Sequence, residues 1–267
     1  MNYNLEQLKP ELVWKHFKAI CQIPHPSHHE EKIREYVIEF AKAHNLEYSV
    51  DEACNVYIAK PATPGYENRK GIVLQAHLDM VPQKNNDKVF DFENDPIEAY
   101  IDGEWVTANG TTLGADNGIG AACILAVLED NTLEHGAIEG LFTATEETGM
   151  DGAFGLKEGL LQGDILLNLD SETEGELYVG CAGGIDVNAE KDCTHDSFAA
   201  PTQGWKALKL SVKGCKGGHS GIQIGYQRAN ANRELFRLLN HTCNCCDNNL
   251  LSIDGTAPVA AGGGAGA

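Results

Sequence analysis

The feature that most constrains the fold is a series of short apolar runs, each of which leads into acidic or histidine side chains. Their length and β-branched content are typical of buried strands. The three runs cover residues 71–76, 138–143 and 165–169, and the side chains that follow them are His77, Asp79, Glu146, Glu147 and Asp170. Any fold of this chain must therefore accommodate polar, ionisable groups at the ends of apolar strands.

Helical patterns occur between and before these strands, and the long polar segment 80–109 contains only a candidate strand at 104–108. An apolar stripe predicts a helix over 5–20, with Pro10 as a candidate start of its main part. Ser27 and Glu30 have the spacing of a capping box, which predicts a helix from there to about Ala43. Because strands alternate with helices and carry apolar residues on both sides of the pleat, the sequence favours an α/β/α sandwich around a mostly parallel sheet.

The pattern changes in the last third of the chain, where the sequence predicts a strand with a glycine turn over 176–184, a strand at 205–212 and a helix at 228–239. One strand-loop-helix-strand unit of about sixty residues cannot bury its own core, so a second domain is predicted to begin near residue 199 and to stop unfinished. The predicted boundaries are 1–198 for the first domain, which carries the strand-end side chains, and 199–256 for a partial α+β domain. Residues 257–267 are almost entirely alanine and glycine and form a tail without core-forming content.

Composition argues against several classes of partner and location. The formal net charge of −19 disfavours nucleic acid and anionic membrane surfaces. The N-terminus lacks the pattern of a signal peptide, and no apolar run approaches the ~20 residues that a membrane span needs. The nine cysteines are scattered and odd in number, which favours reduced thiols and a cytoplasmic location.

The side chains at the strand ends suit a metal centre. In open α/β sheets, sites form at the carboxyl ends of the strands, where these residues would meet. Imidazole and carboxylate ligands suit zinc, and also manganese or cobalt. Two ions ~3.5–4 Å apart need a shared carboxylate. Asp116, in the glycine-framed turn 114–118, is the candidate for that bridge.

Each of these residues alone has an ordinary structural explanation. His77 could be a hydrogen-bonded core histidine, and Asp116 could be the N-cap of a helix. Glu146 and Glu147 could be surface carboxylates. One metal site explains all the positions together more economically, but the spacing leaves both interpretations open.

Four longer stretches carry a resemblance to a known family. Residues 75–84, 111–118, 145–152 and 180–184 resemble the bacterial aminoacyl-histidine (Xaa-His) dipeptidases, also called peptidase D. These enzymes belong to a di-zinc metallopeptidase family that also contains carnosinases, aminoacylases and glutamate carboxypeptidases. The resemblance implies hydrolysis of short unblocked dipeptides, including Xaa-His, with two divalent ions, of which zinc is expected and cobalt or manganese are alternatives.

The resemblance also implies roles for the residues of the metal centre. His77 and Asp170 would bind one ion, Glu147 the other, and Asp116 would bridge them through a carboxylate aimed by a cis peptide at its C-terminal side. Asp79 would orient the imidazole of His77.

Two further residues would take part in catalysis. Glu146 would be the general base, which takes a proton from the water between the ions and later passes it to the leaving amine. His219, in the loop 217–221, would match the histidine of the family's lid domain that donates to the developing oxyanion, often across a dimer interface. A homodimer through the lid domain is therefore expected.

One departure from the family keeps two alternatives open. Family enzymes are much longer. None of the histidines after Asp170 stands in a sequence context that matches the family's last histidine ligand of the second ion. The first alternative is a truncated, non-catalytic fragment that binds metal or dimerises. The second is a sister specificity, such as that of a tripeptidase, an aminoacylase or a carboxypeptidase.

Overall fold

The computed structural model describes residues 3–85, 87–171, 173, 175–181, 183, 187, 188, 190, 192, 208–218, 223–245 and 253. These residues form two compact units. The first contains the described residues up to 171 together with 218 and 223–226, and the second contains the others. None of the described helices combines the length and the apolar character needed to cross a membrane.

The first unit is built on a five-stranded sheet with the order β1-β2-β6-β3-β7. Its strands are β1 (Glu47–Val50), β2 (Val56–Lys60), β3 (Ile72–His77), β6 (Ile138–Thr143) and β7 (Ile165–Asn168). β3 pairs in parallel with β6 on one side and β7 on the other, whereas β2 is antiparallel to both β1 and β6. Four strands therefore run in one direction and β2 alone runs against them, which confirms the predicted α/β class.

Four helices accompany this sheet. They are α1 (Glu11–Cys21), α2 (Glu31–Ala43), α3 (Ala115–Glu129) and the short α4 (Asp151–Phe154), and a 3-10 turn covers Leu5–Gln7. α3 is buried along most of its length, because alanine, leucine, isoleucine and glycine occupy all its faces. A Cβ atom on Gly140 of β6 would lie 2.9 Å from Ile124 and 3.1 Å from Leu128, so glycine lets helix and strand approach closely.

The C-terminal end of α3 is fixed by a buried lysine. Lys60, the last residue of β2, is 8% exposed. Its Nζ donates to the carbonyl oxygens of Val127 at 3.1 Å and Asp130 at 2.6 Å. The last carbonyls of a helix have no partner within the helix, so a side chain from the sheet supplies one.

Several predicted element boundaries agree with the structure. α1 begins directly after Pro10, α2 ends at Ala43, and β6 covers 138–143. The hairpin formed by β4 (Ala99–Asp102) and β5 (Trp105–Ala108) was predicted only in its second strand.

The capping-box interpretation of Ser27 and Glu30 is wrong. α2 begins at Glu31, with Glu30 in the N-cap position and without a side-chain capping bond. Instead, the hydroxyl of Ser27 donates to Asp79. The carboxylate of Glu30 accepts a hydrogen bond from Thr145. Their tertiary contacts therefore outcompete the local cap.

The second unit contains the helix α5 (Ala231–Cys245), which was predicted over 228–239. The strands predicted at 176–184 and 205–212 do not form at the described positions of those ranges. Leu177 and Val179 are fully exposed, and a strand without a partner has nothing to hold it. The predicted boundary at 198/199 lies outside the described residues.

Candidate metal centre

The side chains predicted from the strand ends meet at one edge of the sheet. β6, β3 and β7 are parallel neighbours, so their carboxyl ends lie side by side. His77 is the last residue of β3 and pairs with Thr143, the last residue of β6. Asp170 follows β7 by two residues. The segments that continue from each strand therefore bring their polar groups to the same place.

His77 is at the centre of this cluster and is 1% exposed. Its Nε2 atom lies 3.0 Å from Oδ1 of Asp116, 3.6 Å from Oδ1 of Asp170 and 3.9 Å from Oε2 of Glu146. On the opposite side of the ring, Nδ1 lies 2.9 Å from the carbonyl oxygen of Asp79. A proton on Nδ1 satisfies that carbonyl, so Nε2 is the ring nitrogen that faces the carboxylates.

Asp116 enters the cluster from an irregular helix start. Gly114 has a φ of +72°, and a Cβ atom there would lie 3.0 Å from Sδ of Met80, so glycine suits the turn on both counts. Asp116 has a non-helical backbone, and the Asp116–Asn117 peptide bond is cis, as the resemblance implied. The N-cap alternative for Asp116 is wrong, because Gly114 occupies that position and no side-chain cap forms.

Asp79 is buried behind His77 and has several partners. Its Oδ1 lies 3.3 Å from Nδ1 of His77. The same carboxylate accepts the backbone N–H groups of Glu146, at 2.9 Å, and Glu147, at 3.2 Å, and the hydroxyl of Ser27 at 2.7 Å. Asp79 therefore joins the histidine to the loop that carries the two glutamates.

The glutamate pair follows β6 in a tight loop. Thr145, directly before Glu146, has a φ of +54° and is 8% exposed. Oε1 of Glu147 is buried and has no hydrogen-bond partner among the described residues. Glu146 keeps about a third of its side chain exposed. One oxygen of Glu147 is thus buried, while both glutamates remain partly exposed.

The crowding of carboxylates changes their pKa values. Burial, reinforced by the charges of Asp116 and Glu146, raises the pKa of Glu147 to about 9. Burial also raises the pKa of Glu146, although the charge of His77 opposes the shift. Burial would lower the pKa of His77, but hydrogen bonds to the surrounding aspartates raise it far above its ordinary value. These shifts reflect an excess of negative charge around one imidazole.

The donor set fits divalent ions. Ligand atoms of His77, Asp116 and Asp170 lie within 4.8 Å of one another, and so do those of His77, Glu146 and Glu147. A cation between these side chains would give the buried Oε1 of Glu147 a partner. It would also explain why Nε2 of His77 faces several carboxylates. One nitrogen with several carboxylate oxygens suits zinc, manganese or cobalt.

The structure brings together six of the seven predicted site residues: His77, Asp79, Asp116, Glu146, Glu147 and Asp170. The seventh, His219, lies outside the described residues. Two contributors were missed as site residues: Ser27, which binds Asp79, and Glu30, which binds Thr145. Their only signal was the Ser-x-x-Glu spacing, which suggested a helix cap.

Comparison with known proteins agrees with this geometry. A 251-residue stretch, 94% of the chain, is 54% identical to the cytosol non-specific dipeptidase of Escherichia coli strain K12 and covers 51% of it. The crystal structure of the aminoacylhistidine dipeptidase from Vibrio alginolyticus superposes with a TM-score of 0.67 and 50% identity, over 90% of this chain and 49% of that one. The chain thus spans about half the length of these relatives.

More distant structures share the fold. A tripeptidase from Staphylococcus aureus matches with a TM-score of 0.52 and 23% identity, over 61% of this chain and 44% of that one. The family model described as peptidase family M20/M25/M40 matches residues 73–220, which is more than half of the chain and includes every strand end of the cluster. This protein is therefore a member of peptidase family M20/M25/M40.

Proposed function

We propose that this protein is a cytoplasmic, metal-dependent hydrolase that cleaves the peptide bond of short, unblocked dipeptides, including Xaa-His dipeptides. The observation that carries the proposal is the position of Glu146. Its half-buried carboxylate lies 3.9 Å from Nε2 of His77, within a cluster of ligand atoms that could hold a metal ion. The names of two similar proteins, a cytosol non-specific dipeptidase and an aminoacylhistidine dipeptidase, support the substrate class and the location.

The residues of the cluster would hold two divalent ions, with zinc expected. His77 and Asp170 would bind one ion, Glu147 the second, and Asp116 would be shared. When bound, the ions would polarise the scissile carbonyl and acidify a water molecule. The bond from Nδ1 of His77 to the Asp79 carbonyl supports this assignment, because it fixes the ring with Nε2 available as a ligand.

Glu146 would carry the proton. Its carboxylate accepts a proton from the attacking water at Oε1 or Oε2 and returns it to the nitrogen of the leaving amine. Its partial exposure leaves room for a substrate, and its burial-raised pKa makes it a better proton acceptor than an ordinary surface glutamate. The hydrogen bond from its backbone N–H to Asp79 fixes the position of the Glu146 backbone.

The remaining assignments rest on the resemblance. His219 would donate a hydrogen bond to the oxyanion that develops on the substrate carbonyl. A homodimer through the domain predicted at 199–256 would bring this histidine to the site.

The test is a hydrolysis assay that compares the wild type with a variant lacking the proposed base. Purified wild-type protein and the Glu146→Gln variant are loaded with Zn²⁺, and Gly-His and β-Ala-His cleavage is followed by the release of free amine. We expect cleavage by the wild type, and a loss of at least ~10³-fold in Glu146→Gln with metal content unchanged, because amide cannot accept the proton. Normal hydrolysis by Glu146→Gln would exclude this role.

A substrate panel separates the specificities. Free dipeptides, tripeptides and N-acyl amino acids are compared at equal concentration with the same enzyme preparation. The proposal expects kcat/KM to be highest for free dipeptides. A preference for tripeptides or N-acyl amino acids would replace the dipeptidase assignment with a sister specificity, and an inactive protein that still binds Zn²⁺ would leave it as a metal-binding fragment.

A further inference from the structure

A buried carboxylate lies behind the loop that carries the two glutamates. Glu30 is 5% exposed, and its Oε1 accepts the backbone N–H of Thr145 at 3.1 Å, the Thr145 hydroxyl at 3.0 Å and the backbone N–H of His28 at 3.0 Å. Within the described part of the chain, no basic side chain forms an ion pair with Glu30. A buried carboxylate without a counter-ion is costly, so these three hydrogen bonds are what retains it.

The backbone conformation of Thr145 requires such support. Its φ of +54° lies in the left-handed region, which a β-branched residue rarely adopts. Both hydrogen-bond donors of Thr145, the backbone N–H and the side-chain hydroxyl, bind the same oxygen of Glu30. This two-point contact holds the residue in a conformation that it would otherwise leave, and that conformation sets the direction of the chain into Glu146.

Three successive amides are tied down in this way. The N–H of Thr145 binds Glu30, and the N–H groups of Glu146 and Glu147 bind Asp79. Ser27, three residues before Glu30, donates to the same Asp79 carboxylate at 2.7 Å. The segment 27–30 therefore supplies one of the two carboxylates that hold the loop, Glu30, and contacts the other, Asp79.

We propose that Glu30 is a positioning residue, which holds Thr145 in its left-handed conformation and thereby directs the side chains of Glu146 and Glu147 into the metal cluster. The consequence for catalysis rests on the proposed function, since it assumes the roles of Glu146 and Glu147 given there. The bracing of the loop and its effect on metal binding do not depend on turnover.

The experiment uses five variants of the full chain. Glu30→Ala removes the acceptor, and Thr145→Val removes only the hydroxyl while keeping the shape of the side chain. Thr145→Ser keeps the hydroxyl and is the rescue variant. Glu31→Ala removes an exposed carboxylate from the next position and is the control for charge. Glu146→Gln shows what loss of the base alone does.

Two readouts are measured for each. Hydrogen exchange of the amides of residues 145–147 is followed in metal-free protein, with the amides of β6 as an internal reference. Zn²⁺ affinity is measured by competition with a chromophoric chelator. In Glu30→Ala and Thr145→Val, we expect the amides of 145–147 to exchange at least about tenfold faster than in the wild type, and the amides of β6 to exchange at the wild-type rate. Their Zn²⁺ affinity should fall ~10–100-fold, as for other residues that orient ligands.

Thr145→Ser and Glu31→Ala should stay within about threefold of wild type in both readouts, because each keeps the bonds from residue 145 to Glu30. Exchange that accelerates equally in the loop and in β6 would show a general loss of stability and would overturn the proposal. Unchanged Zn²⁺ affinity in both Glu30→Ala and Thr145→Val would overturn it as well. If Glu30→Ala does not fold, Thr145→Val decides.

The two proposals fail in different ways. If the wild type binds Zn²⁺ but does not cleave dipeptides, the proposed function fails while exchange and affinity still report on Glu30. If the wild type cleaves dipeptides and Glu30→Ala does so with unchanged kcat, KM and Zn²⁺ affinity, the positioning role fails and the proposed function stands.

Discussion

Replacing Gly120 by alanine should disturb the metal centre without touching a ligand. Gly120 lies in α3, and a Cβ atom there would be 2.1 Å from Oδ1 of Asn117 and 2.9 Å from the carbonyl oxygen of Leu169. Asn117 directly follows Asp116, and Leu169 directly precedes Asp170. The added methyl group therefore presses at once on both segments that present carboxylates to His77.

The size of the effect follows from these distances. Real Cβ atoms stay about 3.0 Å or more from such atoms, so the Asn117 oxygen must retreat by about 0.9 Å. Asn117 is 1% exposed and has little space in which to move. Metal–ligand distances tolerate only ~0.2 Å, and displaced supporting residues cost ~10–100-fold in metal affinity. Overpacking should also lower the free energy of unfolding by ~1–3 kcal/mol.

Gly118→Ala is the matched control. It lies in the same helix, but its Cβ atom would meet Phe17 at 3.4 Å and Ile20 at 3.5 Å, which are ordinary contacts. Zn²⁺ affinity is measured by chelator competition and stability by urea unfolding. We expect Gly118→Ala to match the wild type in affinity and Gly120→Ala to lose at least about tenfold. Equal affinities in the two variants would refute the argument that this close approach positions the ligands.

Two further predictions concern the fold around the site. Lys60→Met removes the donor that caps α3 and should lower the free energy of unfolding by ~1–3 kcal/mol in urea, because two partly buried carbonyls lose their partner. Lys157→Met, which breaks only the exposed ion pair with Glu52, should cost less than ~0.5 kcal/mol. Equal costs would contradict the capping role. Burial, together with the Glu139 carboxylate, raises the pKa of Tyr57 to about 12. Since the unfolded chain releases this proton near pH ~10, stability should fall as pH rises from there towards 12, and Tyr57→Phe should make the fall shallower in unfolding curves across that range. An unchanged slope would show that Tyr57 titrates normally.

The sequence predicted the parts of the site that depend on local pattern. His77, Glu146 and Asp170 each follow an apolar run, and such runs become strands whose ends meet when neighbouring strands are parallel. These three residues were therefore found from strand ends alone. The prediction that all three strands are buried is wrong for β7, which lies at the edge of the described sheet and is exposed. The division of roles between Glu146 and Glu147 came from the resemblance and stays a prediction.

The parts that the sequence did not predict depend on contacts between distant residues. Ser27 reaches Asp79, 52 residues away, and Glu30 reaches Thr145, 115 residues away. The same Ser-x-x-Glu spacing is also typical of a helix cap, so local rules led to the wrong assignment. β4 was missed because Ala99–Asp102 lies in a polar segment, where pairing with β5 supplies the order that periodicity does not.

The most direct test of the proposed metal centre is the zinc content of the protein with and without Asp116, the proposed shared ligand. Zinc bound per chain is measured by mass spectrometry after equilibrium dialysis of the wild type, Asp116→Asn and the control Asp102→Asn, which removes an exposed charge from the end of β4. We predict that the wild type and the control retain the same zinc and that Asp116→Asn loses the greater part of it. Wild-type zinc content in Asp116→Asn, or no zinc in the wild type, would contradict the account.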